Sequence, residues 1–152
     1  VEGAEWLYDQ AAMQGHVGAQ LNLAHIALKE GRVREAAGLF QAGAKAGSDV
    51  GMYSLAYIRE HSDRIGGEGV DMEIDALVNQ MARYMRTGGL AGVYTTPEIA
   101  TAANMHVDAL GCYEAAAISG HAGAQHRLAA ALFDAGLTNE AMVWYKRSAE
   151  QN

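Results

Sequence analysis

Residues 15–24 read GHVGAQLNLA, and residues 120–129 read GHAGAQHRLA. A chain that writes nearly the same decapeptide twice must place both copies in equivalent surroundings. Gly47 joins Gly15 and Gly120 in the same column, and the neighbouring columns agree. Upstream of the glycine run Ala4, Ala36, Ala109 and Ala141, then Tyr8, Phe40, Tyr113 and Tyr145, then Ala12, Ala44, Ala117 and Ala149. Downstream run Ala19, Gly51 and Ala124, then Leu23, Leu55 and Leu128, then Ala24, Ala56 and Ala129. A period on the order of thirty residues marks a stacked repeat, whose unit cannot bury its apolar face alone.

The spacings within a unit identify its parts. Ala4, Tyr8 and Ala12 lie four apart, on one face of a first helix, A. Ala19 or Gln20, Leu23 and Leu28 lie on one face of a second helix, B. The glycine between them suits a left-handed residue closing helix A, and so short a link makes A and B antiparallel. Small residues in the recurring columns allow close helix approach, while the aromatic and leucine columns fill the space between units. Truncation of Leu23 or Leu128 to Ala is then expected to cost roughly 2–5 kcal/mol.

The stretches WLYDQAAMQGHVGAQLNLA (6–24), CYEAAAISGHAGAQHRLA (112–129) and WYKRSAEQN (144–152) resemble the Sel-one-like repeats, a branch of the tetratricopeptide-type helical repeats. The unit at 35–60 is weaker, with Met52 standing where Gln20 and Gln125 stand in its counterparts. GEGVDMEIDA (67–76) is similar to the family's longer loop and places a third helix A at about Asp71 to Arg86. Thr96 as cap, Pro97 at the first helical position and Glu98 in the first turn predict another helix start. Within TTPEIATAANMHVDALG (95–111) no glycine precedes Asp108, so an irregular or displaced helix is expected between Thr87 and Val107.

The resemblance implies an all-α fold, a right-handed α-solenoid of antiparallel helix pairs with about four units and a terminal half unit. It is read as a single domain over 1–152 with an irregular third unit around 62–107, and as a fragment of a longer, bacterial-type protein. It further implies a non-enzymatic scaffold or adaptor that binds a protein or peptide on its concave helix A surface. The partner-facing column is then Asp9, Gln41, Glu114 and Lys146, one turn on from Glu5, Ala37, Leu110 and Met142. Glu5, Asp9, Gln41, Glu114 and Lys146 are the candidate partner-binding residues, and charge reversal at Asp9 and Glu114 is expected to weaken binding without lowering the melting temperature. The last helix, with Met142, Val143, Trp144 and Tyr145, is expected to carry an apolar face able to make a homo-oligomer. The alternative is a ligand-sensing or catalytic appendage that uses the irregular insert at 87–107.

Charge and composition narrow the classes. The net charge of −7 and the absence of a basic run argue against nucleic acid and anionic membrane surfaces. No apolar stretch is long enough to insert in a membrane, and the first residues lack the basic region and apolar core of a signal peptide. Cys112 is the single cysteine, so no intrachain disulfide exists and the compartment is left open. It shares a column with Leu7, Leu39 and Trp144 and reads as a core residue.

No cofactor, metal or catalytic group is expected. His121 and His126 are five apart, off one helix face, and His16 and His121 read as turn residues after the capping glycine. The acids Glu60, Asp63, Glu68, Asp71, Glu73 and Asp75 fit no calcium loop, because Ile65 and Gly67 stand where oxygen ligands belong. Ser119 aligns with Gln14 and Ala46 and lacks a nucleophile elbow. Gly66, Gly67 and Gly69 follow a helix rather than a strand, which leaves a phosphate loop unsupported.

Overall fold

The computed structural model describes residues 16–61 and 70–151. Within them the chain is all-α, with eight helices and no strand: α1 (Val17–Lys29), α2 (Val33–Lys45), α3 (Asp49–Glu60), α4 (Val70–Thr87), α5 (Pro97–Ala102), α6 (Val107–Ile118), α7 (Ala122–Asp134) and α8 (Thr138–Glu150). In the notation of the repeat, α1, α3 and α7 are helices B, and α2, α6 and α8 are helices A. Gly15 and the first helix A, with Ala4, Tyr8 and Ala12, lie outside the described residues, as do Gly66, Gly67 and Gly69.

The columns of small and aromatic residues form the core up to α7, whereas in α8 Tyr145 is half-buried and Ala149 exposed. Ala36, Ala109 and Ala141 are buried, as are Phe40 and Tyr113, Ala44 and Ala117, Leu23, Leu55 and Leu128, and Ala24, Ala56 and Ala129. Gly51 shows why one column holds only small residues. A Cβ there would lie 2.7 Å from both the Ala44 nitrogen and the Phe40 oxygen, so α2 and α3 touch backbone to backbone.

Both Gly47 (φ +95°) and Gly120 (φ +104°) are left-handed and close helices A. In each, the next residue's N–H reaches back five positions, Ser48 to the Gly43 carbonyl (2.9 Å) and His121 to the Ala116 carbonyl (3.0 Å). These bonds satisfy carbonyls that the helix end would orphan. The turn into α6 does the same without glycine. Asn104 takes φ +53°, and Met105 N–H donates to the Ala100 carbonyl at 2.9 Å. Asn is the residue that tolerates this region best after glycine.

Stacking runs α1 on α2, α2 on α3, α3 on α6, α6 on α7 and α7 on α8. Helix α6, not α4, therefore makes with α3 the extended contact that a following helix A would make. The segment between α3 and α6 is an insert whose two helices do not pair with each other. Helix α4, one residue longer at each end than expected, bridges α2 and α6 and also touches α3. Its apolar side chains Ile74, Val78, Met81, Ala82 and Met85 are all buried. Burial of each large one contributes about 1.5–3 kcal/mol, so α4 is an integral part of the core. Helix α5 has six residues and packs on α6 and α7. It starts as its sequence predicts, with the Thr96 hydroxyl accepting from Ile99 N–H (3.2 Å) and Pro97 in the first turn.

Candidate partner-binding surface

The column expected to face a partner divides in the structure. Glu5 and Asp9 lie outside the described residues. Gln41 is half-buried, and its amide donates to Gln80 Oε1 of α4 at 3.0 Å. Lys146 on α8 is exposed.

Glu114 is fully buried, which corrects the expectation that it stands on an open surface. Its carboxylate accepts four hydrogen bonds from the loop that follows α4: Gly92 N–H (3.3 Å), Val93 N–H (3.0 Å), Tyr94 N–H (3.0 Å) and the Thr95 hydroxyl (2.6 Å). Successive N–H groups turned toward one point make a nest for an anion, and here the anion is a side chain of the neighbouring helix. The loop lies close to α6 at Gly111, one turn earlier, where a side chain would only just come into contact with it. A Cβ on Gly111 would lie 3.4 Å from Thr95 Cγ2. On the other side Tyr94 meets Trp144 of α8 edge-on, with centroids 6.3 Å apart. Residues 92–95 thus lie between α6 and α8, on ground the column had assigned to a partner. Ala37 and Leu110, one turn earlier, are buried as well, whereas Met142 is 62% exposed.

Helix α4 is fastened by polar side chains as well as by its core. Arg34 pairs with Glu73 (3.1 Å), Arg59 pairs with Asp75, and Asn79 donates to Asp108 Oδ2 (3.0 Å). Among the exposed residues of α4 are Gln80, Arg83 and Tyr84, and Lys146 of α8 is exposed as well.

A second polar group ties three helices. Arg127 of α7 binds the Glu60 carboxylate of α3 through both Nε and a terminal nitrogen, and the Tyr113 hydroxyl of α6 donates to Glu60 Oε1 at 2.7 Å. Burial alone would raise the Glu60 pKa, but the Arg127 and Tyr113 hydrogen bonds outweigh it and hold the carboxyl below its ordinary value. Burial, with the Glu60 hydrogen bond, pushes the Tyr113 phenol far up. Nearby, His121 caps α7: its Nδ1 accepts from Ala124 N–H at 3.1 Å, and its ring stacks on Tyr53 at 4.3 Å. Burial lowers its pKa, against an opposing pull from Asp49. Cys112 is buried, and burial pushes its thiol up to about 12.

Among the described residues no three His, Cys, Asp or Glu side chains converge as a metal site, and no helix is long and apolar enough to cross a membrane. The side of α3 and the insert form a polar depression of about 530 Å³, lined by Arg59, Glu60, Thr101, Asn104, Met105 and His106. The apolar face expected on α8 is present in part, with Met142 and Val143 exposed and Trp144 buried.

The residues that the sequence reading missed left uneven traces. Glu114 is the lone charge in ALGCYEAAAI, and a charge inside an apolar stretch needs an internal partner. Glu60 and Arg127 are 67 positions apart, and nothing local relates them. Comparison with protein-family models and with curated proteins returns no match to this chain.

Proposed function

We propose that this chain is a non-enzymatic protein-interaction module of the Sel-one-like, tetratricopeptide-type kind, a right-handed α-solenoid that scaffolds or adapts a complex by binding a protein or peptide partner. What supports the reading is the repeated stacking contact: α3 meets α6 as α1 meets α2 and as α7 meets α8, carrying the register of the repeat across the insert. A stack of helix pairs offers a broad face rather than an enclosed site. Because Glu114 is buried and the half-buried Gln41 is bonded to Gln80 of α4, the partner-binding side is assigned to the exposed residues of α4 and α8, chiefly Arg83 and Lys146.

The test is site-specific photocrosslinking in extract of the native cell. A crosslinker replacing Arg83 is expected to capture a discrete partner, and one replacing Tyr57 on α3 is expected not to. Capture from Tyr57 alone, or from neither position, refutes the reading. Self-association through α8 is a separate element of the proposal: sedimentation should show a concentration-dependent dimer that Met142→Lys abolishes, and a strict monomer refutes it.

The polar depression favours a second reading, a ligand-sensing or catalytic appendage that uses the insert, since Thr101, Asn104 and His106 all come from the segment 87–107. A polar metabolite that raises the melting temperature of the wild type but not of His106→Ala would support it. No stabilisation across a broad panel of such compounds counts against it.

A further inference from the structure

Where the last turns of α2 and α4 approach the first turns of α3, they border an open pocket of about 330 Å³. Leu90 and the stem of Lys45 give it apolar lining, the buried Ala44, Met52 and Met85 lie beneath as its floor, and its mouth carries Lys45 and Tyr84. Among the described residues no carboxylate lines it. Among the same residues Lys45 makes no ion pair, whereas Arg34, Arg59 and Arg127 are all matched with acids. Lys45 sits in the last turn of α2, where the helix dipole favours a cation. The dipole accounts for the place of the lysine but not for the apolar hole beside it.

The cavity exists because the insert departs from the repeat. Gly47 and Gly88 both line it, so two helix ends meet there without side chains to fill the space. The volume is near the lower limit of ligand pockets. At liquid packing it holds about ten non-hydrogen atoms. An apolar body of that size, with one acceptor head reaching an ammonium and a phenol, is the complement of these walls and this mouth.

We propose that this pocket binds a small monocarboxylic acid with an apolar body, its hydrocarbon part against Leu90 and over the buried Met52 and Met85, and its carboxylate at Lys45 and Tyr84. The site does not depend on the partner-binding reading, because it uses the edge of α4 that faces α2 and α3. A ligand of this size is expected to bind in the millimolar range.

The experiment uses the full chain with methyl-labelled methionine and follows titration with 3-phenylpropionate by NMR. The Met52 and Met85 methyls are expected to shift saturably, and those of the exposed Met72 and Met142 to stay in place. The corresponding alcohol, 3-phenylpropan-1-ol, is expected to bind at least about tenfold more weakly, since it lacks the charge that an ammonium favours. Lys45→Gln should reduce acid binding to the level of the alcohol and leave alcohol binding and the melting temperature unchanged. Three outcomes would each overturn the proposal: Met52 and Met85 unmoved at saturation, equal binding of acid and alcohol, or acid binding unaffected by Lys45→Gln.

Discussion

Glu114→Gln changes the shape of one buried side chain hardly at all and removes its capacity to accept from every side. In the native protein Oε1 takes Gly92 N–H, Tyr94 N–H and the Thr95 hydroxyl, and Oε2 takes Val93 N–H. If the oxygen of the introduced amide keeps the Oε1 position, its NH2 group then points at Val93 N–H, donor against donor. Three bonds to a charged acceptor become bonds to a neutral one, and each such change is worth about 1 kcal/mol, with about 1–3 kcal/mol more for the unsatisfied donor. Relief of the buried charge offsets part of this. The net expected loss is about 2–3 kcal/mol, which for a chain of this length lowers Tm by about 5–10 °C. Hydrogen exchange should localise the effect, with faster exchange at the amides of residues 92–94 while α7 keeps its protection. Glu114→Ala, which orphans all four donors, should be worse. A variant with unchanged Tm and native protection at 92–94 would refute the anchoring role and return Glu114 to the surface.

Gly51→Ala should destabilise the chain by about 1–3 kcal/mol, because the added Cβ meets backbone that cannot turn aside, even though the equivalent positions hold Ala19 and Ala124; an unchanged denaturation midpoint would show that α2 and α3 are further apart. Cys112 should resist thiol reagents in the folded protein and react only on unfolding, because it is buried and its thiol is pushed up to about 12, and rapid labelling of the native chain would contradict that burial. The folded-state pKa of His121 lies below 6.5, so its stabilising contribution is present above that value and lost as pH falls through it, when protonation removes the Nδ1 acceptor from Ala124 N–H. His121→Asn keeps a capping acceptor that does not titrate, and its stability should fall less than the wild type's between pH 6.5 and the folded-state value; parallel pH profiles would discount His121.

Much of the local structure was legible because it is written in adjacent residues. The glycines after α2 and α6, the Thr96 and Pro97 start of α5, and the alanine and leucine columns all express backbone and packing preferences that act within a turn or two of helix. The candidate surface was less legible. A column drawn through Gln41, Glu114 and Lys146 assumes that every unit meets the same surroundings, and the insert breaks that assumption by placing α4 against Gln41 and residues 92–95 against Glu114. Closure of the turn at Asn104 was hidden for a simpler reason, since asparagine reaches the left-handed region at some cost and does not announce it as glycine does.

The sequence by itself determined the helical character, the places where helices A end, and which small residues lie in the core, because periodicity and chain reversal are local properties of the backbone. Tertiary structure alone decided that α6 stacks on α3 across the insert, that Glu60 meets Arg127, and that the Glu114 carboxylate is engaged inside the molecule. Those outcomes depend on which distant surfaces bury each other most completely, and no spacing along the chain encodes that competition.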